Sequence, residues 1–173
     1  MNLIINLIAF KIAWVATIFG SANNLPFIGP FMVLIAVTFH FWFAKDFFRE
    51  LLLLSIAGMI GFFFDSVIVR LGLLVYSNGI FFPEAAPYWM VGLWVVFATT
   101  LNVSLKWMRS RYFLAALSGA IFGPISYVAG SKLGAVIIND ANTVYIILAF
   151  GWAIVLPFLF FMARKLDGYN YDS

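Results

Sequence analysis

The sequence predicts an all-α polytopic membrane protein, a bundle of six transmembrane helices, and three observations carry that prediction. Of the 173 residues 65% are hydrophobic and only 10% charged, and the mean hydropathy is +1.05, whereas soluble domains are about half apolar and a quarter charged. The apolar residues fall in unbroken runs without period-2 alternation. Lipid cannot hydrogen-bond the backbone, so such runs select helices over a barrel. Finally, the basic residues alternate between sparse and dense along the connections.

Six apolar segments lie near residues 3–20, 29–45, 50–75, 88–107, 112–130 and 143–164, each matching the roughly 17–25 residues that a bilayer core requires. The first carries Lys11 near its middle. Gly20-Ser21-Ala22 after it resembles a signal-peptide cleavage site, but no basic n-region precedes it and Lys11 interrupts the apolar stretch, so it reads as a retained helix. Asn23, Asn24, Pro26 and Pro30 separate it from the second segment, which contains His40. The third holds Asp65 and Arg70. A connection with Ser77, Asn78, Gly79, Pro83 and Pro87 leads to the fourth segment, and Asn139, Asp140 and Asn142 lead to the sixth. Pro124 in the fifth segment predicts a kink. No internal repeat is evident, and residues 1–173 read as a single transmembrane domain.

Lys45 and Arg49 follow segment two, Lys106, Arg109 and Arg111 follow segment four, and Arg164 and Lys165 follow segment six; the opposite connections hold only Arg70 and Lys132. The positive-inside bias places both termini in the cytoplasm. The net charge of +3 is thereby a topology signal and not a nucleic-acid footprint. No cysteine is present, which removes thiol nucleophiles, iron–sulfur ligation and cysteine zinc sites. With His40 alone there is no paired-histidine metal motif, and no phosphate-binding loop or nucleophile elbow occurs. Whether the chain is an enzyme, and with what cofactor, stays open.

Intramembrane polar residues define the candidate site. Asp65 lies about 20 Å from the start of segment three at the helical rise, and its side chain is too short to snorkel. Gly61, Gly58 and Ser55 precede it at helical spacing, a small-residue stripe of the kind along which helices approach closely. Asp65 is therefore expected in the bundle interior, as a catalytic acid or as a buried structural group. Arg70 is expected to anchor at the interface. Lys11, about 12 Å into segment one, could pair with Asp65 or snorkel. Thr99, Asn102, Lys106 and Arg109 are spaced 3, 4 and 3 apart, which would align them on one helical face as the wall of a wet cleft for an anionic group. Ordinary topology residues and an interhelical hydrogen bond are the plainer account of the same pattern. His40 could join that wall as a proton relay or pack structurally. Gly119, Gly123, Gly130 and Gly134 suit close helix contact, and Trp14, Trp94 and Trp152 lie deep enough to line a lipophilic pocket or fill the bundle.

At PYWMVGLWVVFATTLNVSLKWM, 87–108, followed by GAIFGPISYVAGSKLGA, 119–135, the chain resembles an uncharacterised bacterial inner-membrane family, domain of unknown function 2878. The resemblance implies a small multi-spanning protein and assigns no reaction. The residues themselves point to a protein that binds or modifies a lipid or isoprenoid in a polar pocket built from segments one to four. Asp65 would be the catalytic group, and Lys11, His40, Asn102, Lys106 and Arg109 the substrate-binding ones. The alternatives are a small transporter or channel, which would favour a homo-oligomer, and a non-catalytic partner of another membrane protein.

Overall fold

Short polar side chains cap the starts of three of the helices. In the computed structural model, which describes residues 1–170, Asn2 starts α1 (Leu3–Ala22) by accepting the Ile4 N–H at 2.8 Å. Asp46 starts α3 (Phe47–Arg70) through the Arg49 N–H, and Asp140 starts α6 (Ala141–Lys165) through the Thr143 N–H; each satisfies a backbone donor that the first turn leaves unpaired. Between them lie α2 (Ile28–Phe43), α4 (Tyr88–Ala98) and α5 (Tyr112–Lys132). The domain expected to run to residue 173 includes 171–173, which lie outside the described residues.

Four helices, α1, α3, α5 and α6, are long and apolar enough to cross a membrane, whereas α2 and α4 have 16 and 11 residues. The short α4 departs from the expected helix over 88–107. Thr99 and Thr100 donate their hydroxyls back to Val96 O and Phe97 O at 2.7 and 2.6 Å, and the backbone tightens to i→i−3 bonds at Thr100, Leu101 and Val103. Such back-bonding competes with the α-helical ladder. A short 3-10 helix, Lys106–Met108, completes the connection. Thr99, Thr100, Leu101, Asn102 and Ser104 are nevertheless buried, and Asn6 of α1 donates to Thr99 O and accepts from the Ser104 N–H.

The helices pack as three sequential pairs, α1 with α2, α3 with α4 and α5 with α6, while α4 also touches α1 and α2, and α3 touches α6. At one end, Asn78 exchanges hydrogen bonds with Ser21. There β1 (Leu74–Val75) also pairs antiparallel with β2 (Ile137–Ile138), with Leu74 opposite Ile138. At the other end the connections after α2 and α4 meet the C-terminal residues: Lys45 and Asp46 donate their N–H groups to Gly168 O, and Asn102 donates to Leu166 O. Because it carries Lys45, Arg49, Lys106, Arg109, Arg111, Arg164 and Lys165, we refer to it as the basic end.

Leu53, Ala57, Val96, Ala98, Leu101, Leu148 and Phe160 form the centre of the core. Outward faces are apolar as well, with Leu34, Phe63, Phe150 and Ile154 exposed, a surface suited to hydrocarbon and not to water.

Candidate functional site

A cavity of about 490 Å³ is lined by residues of α1, α4, α5 and α6. Its walls are Leu7, Phe10, Trp14 and Ile18 of α1, Trp94 and Phe97 of α4, Phe122 and Tyr127 of α5, and Trp152 of α6, and Thr100, Leu105 and Met108 close the basic end. Near the opposite end α1 side chains reach α5: a Cβ at Gly130 would meet Ile18 Cδ1 at 3.6 Å, and one at Gly134 would meet the Ala22 Cβ at 3.7 Å. The pocket expected from segments one to four thus uses α1 and α4, but its other walls are α5 and α6. The small residues of α5 explain this, since Gly119 and Gly123 take the Trp152 backbone and indole against them.

Asp65 stands behind the cavity wall. It is 0% exposed, its Oδ2 accepts Trp94 Nε1–H at 2.7 Å and its Oδ1 accepts the Tyr127 hydroxyl at 2.6 Å. Trp94 and Tyr127 line the cavity, whereas Asp65 does not. Gly61, one turn before Asp65, makes room for the Trp94 ring, which a methyl there would overlap. Trp94 then stacks on Trp152 at 4.4 Å. The Tyr76 hydroxyl is buried beside Asp65. Among the described residues neither it nor Trp152 Nε1 meets an acceptor at hydrogen-bonding distance and angle.

The second polar assembly lies at the basic end. Glu50, the fourth residue of α3, is 0% exposed. Its Oε2 meets His40 Nε2 at 2.9 Å, and its Oε1 accepts from Asn102 Nδ2 at 2.7 Å and from the Gly168 N–H at 2.8 Å. Arg109 Nη1 donates to Asn102 Oδ1 at 3.0 Å and to Asp167 Oδ2 at 2.6 Å, with Lys106 Nζ 3.8 Å from the same carboxylate. The Tyr169 hydroxyl donates to His40 O at 2.6 Å and lies 3.0 Å from His40 Nδ1. Burial opposes charge on Asp167, but the Arg109 hydrogen bond, the Tyr169 N–H and the charges of Arg109 and Lys106 outweigh it and hold the carboxyl below its ordinary value. Burial and the charge of Glu50 push the Tyr169 phenol up. With its charges matched in this way, the assembly ties α2, α3, the α4–α5 connection and the C-terminal residues together.

Of the residues expected in one site, His40, Asn102, Lys106 and Arg109 do come together, although the α-helical face thought to align the last three is absent. His40 packs against Glu50 and Tyr169, while its neighbour Trp42 is exposed. Asp65 and Lys11 stay apart from that group and from each other: Lys11 lines the cavity, and no ion pair joins it to Asp65 among the described residues. Arg70 is exposed, as an interface anchor would be. Glu50, Asp167 and Tyr169 were not singled out, because in sequence they look like the ordinary polar flanks of apolar segments.

A family model described as a protein of unknown function, DUF2878, matches residues 3–158. The chain belongs to that family. No curated protein and no solved structure matches it. The stretch shared with the DUF2878 model contains every residue that lines the cavity, together with Asp65, His40 and Glu50. Asp167, Gly168 and Tyr169, which complete the basic-end assembly, follow the part of the chain that matches DUF2878.

Proposed function

We propose that this chain is a six-span protein of the bacterial cytoplasmic membrane, with both termini in the cytoplasm, that binds a lipid or isoprenoid in the cavity between α1, α4, α5 and α6. The observation that carries the reading is the cavity itself. At about 490 Å³, with walls of Trp, Phe, Leu and Ile and few polar groups, it has the size and chemistry of a site for a small lipophilic molecule. Asp65 acts through Trp94 and Tyr127, whose ring positions it fixes. His40, Asn102, Lys106 and Arg109 close the cytoplasmic end and do not meet the ligand.

Two features support the topology. Seven of the ten lysines and arginines belong to connections at the basic end, the cytoplasmic one by the positive-inside bias. Although α4 is short, its irregular continuation is buried in protein, where non-helical backbone at membrane depth finds its hydrogen bonds.

A membrane-incorporated fatty-acyl lipid bearing a diazirine tests the reading. After irradiation, adducts are expected on cavity-wall residues such as Trp14 and Tyr127. Adducts confined to outward residues such as Phe63, Phe150 and Ile154 would contradict it.

A further inference from the structure

Lys11 is exposed and brings a positive charge to a cavity whose lining is mostly apolar. It lines the α1 wall, eight residues beyond the start of the helix and so about 12 Å along it. Its ammonium lies 5.7 Å from the centre of the Phe10 ring, and no carboxylate among the described residues pairs with it. Asp46, Glu50 and Asp167 are engaged by Arg49, His40 and Arg109 at the basic end, and Asp65 by Trp94 and Tyr127. A lysine at such depth in a span snorkels, pairs or marks a ligand path.

On the facing wall Ser118 lies six residues into α5, about 9 Å along it. Both helices are counted from the basic end, because Asn6 near the start of α1 and Arg111 at the start of α5 flank the same connection. The cation and a hydroxyl therefore stand at similar depth across the cavity. Beyond them, toward the opposite end, the lining turns to Trp14, Ile18, Trp94, Trp152 and Val136.

We infer that the ligand is an anionic amphiphile, with its carboxylate or phosphate held by Lys11 near Ser118 and its apolar tail running between the Trp94–Trp152 pair and α1. This rests on the cavity reading above and adds to it the sign of the head-group charge. The anion supplies the partner that the chain withholds from Lys11, and a charge-assisted hydrogen bond in an apolar surround is worth more than the same contact in water.

The test measures retention of radiolabelled palmitate, palmityl lysophosphatidate and palmityl alcohol by the purified full chain, for wild type, Lys11→Gln and Lys11→Arg of matched thermal midpoint. At least one anionic probe is expected to bind about tenfold or more tighter than the alcohol. Lys11→Gln is expected to erase that preference and Lys11→Arg to keep it. Preference for palmitate names a carboxylate ligand, and preference for lysophosphatidate a phosphate. If the alcohol binds as tightly as both anions, or Lys11→Gln leaves the preference intact, the inference is overturned while the cavity reading stands. If no probe is retained, both are overturned.

Discussion

Trp94 and Trp152 stack at 4.4 Å with their planes 8° apart, and each indole is seated against a glycine of a neighbouring helix, Gly61 of α3 for Trp94 and Gly123 of α5 for Trp152. The pair joins the α3–α4 unit to the α5–α6 unit and forms one wall of the cavity. Replacing Gly61 or Gly123 by Val would push side-chain atoms into an indole, and overpacking of this kind costs about 1–3 kcal/mol. Both variants should melt below wild type in detergent. Gly92→Ala, whose methyl would meet Val33 at an ordinary 3.5 Å, should not.

Asp65 accepts from two donors on two different helices. An amide at this position offers only one oxygen, so Asp65→Asn leaves Trp94 or Tyr127 without its acceptor, at about 1–3 kcal/mol. The variant should fold, melt lower and show altered tryptophan emission, and it should retain less lipid because the cavity wall shifts. An unchanged emission spectrum with undiminished lipid content would remove Asp65 from the site.

Glu50 serves three partners, His40, Asn102 and Gly168. Truncation by Glu50→Ala strands them and should cost about 3–5 kcal/mol, as for other broken buried pairs. Glu50→Gln keeps an acceptor oxygen and should cost less. The C-terminal residues should become accessible to carboxypeptidase in the alanine variant first, and equal resistance in wild type and Glu50→Ala would show that the assembly does not hold them.

The carboxyl of Asp167 is held below its ordinary 3.8. A group whose value is depressed on folding stabilises the folded state above its unfolded value, and the gain is lost as pH falls through the folded value. Wild type should therefore exceed Asp167→Asn in thermal midpoint at pH 6, and the difference should shrink as pH drops below 3.8. A difference independent of pH would assign the effect to packing alone.

Several of these relationships could be read in the sequence, and the reasons that others could not are physical. Apolar length marks the long helices, because it is a property of the segment itself and needs no distant partner. The stripe of Gly58 and Gly61 correctly turned Asp65 inward. Its partners Trp94 and Tyr127 could not be named, since they belong to helices whose order in the bundle has no local signature. The end of α4 at Ala98 was hidden because residues 99–105 remain apolar enough to pass as helix, and only the hydroxyls of Thr99 and Thr100 hint otherwise. Glu50 meets Gly168 across 118 residues of chain, and Asp167 meets Arg109 across 58. Each alone resembles a solvated flank, and only tertiary closure buries them.

The central claim is that the cavity between α1, α4, α5 and α6 holds a lipophilic ligand, and lipid analysis of the purified protein tests it most directly. Wild type and a Ser118→Phe/Ala129→Phe variant, whose new rings occupy the cavity from the α5 wall, would be purified in mild detergent, matched for thermal midpoint and extracted. The account predicts a defined lipid retained in fixed proportion to the wild-type chain and lost from the filled variant. Equal retention by both, or no enrichment over the bulk membrane in either, would contradict it.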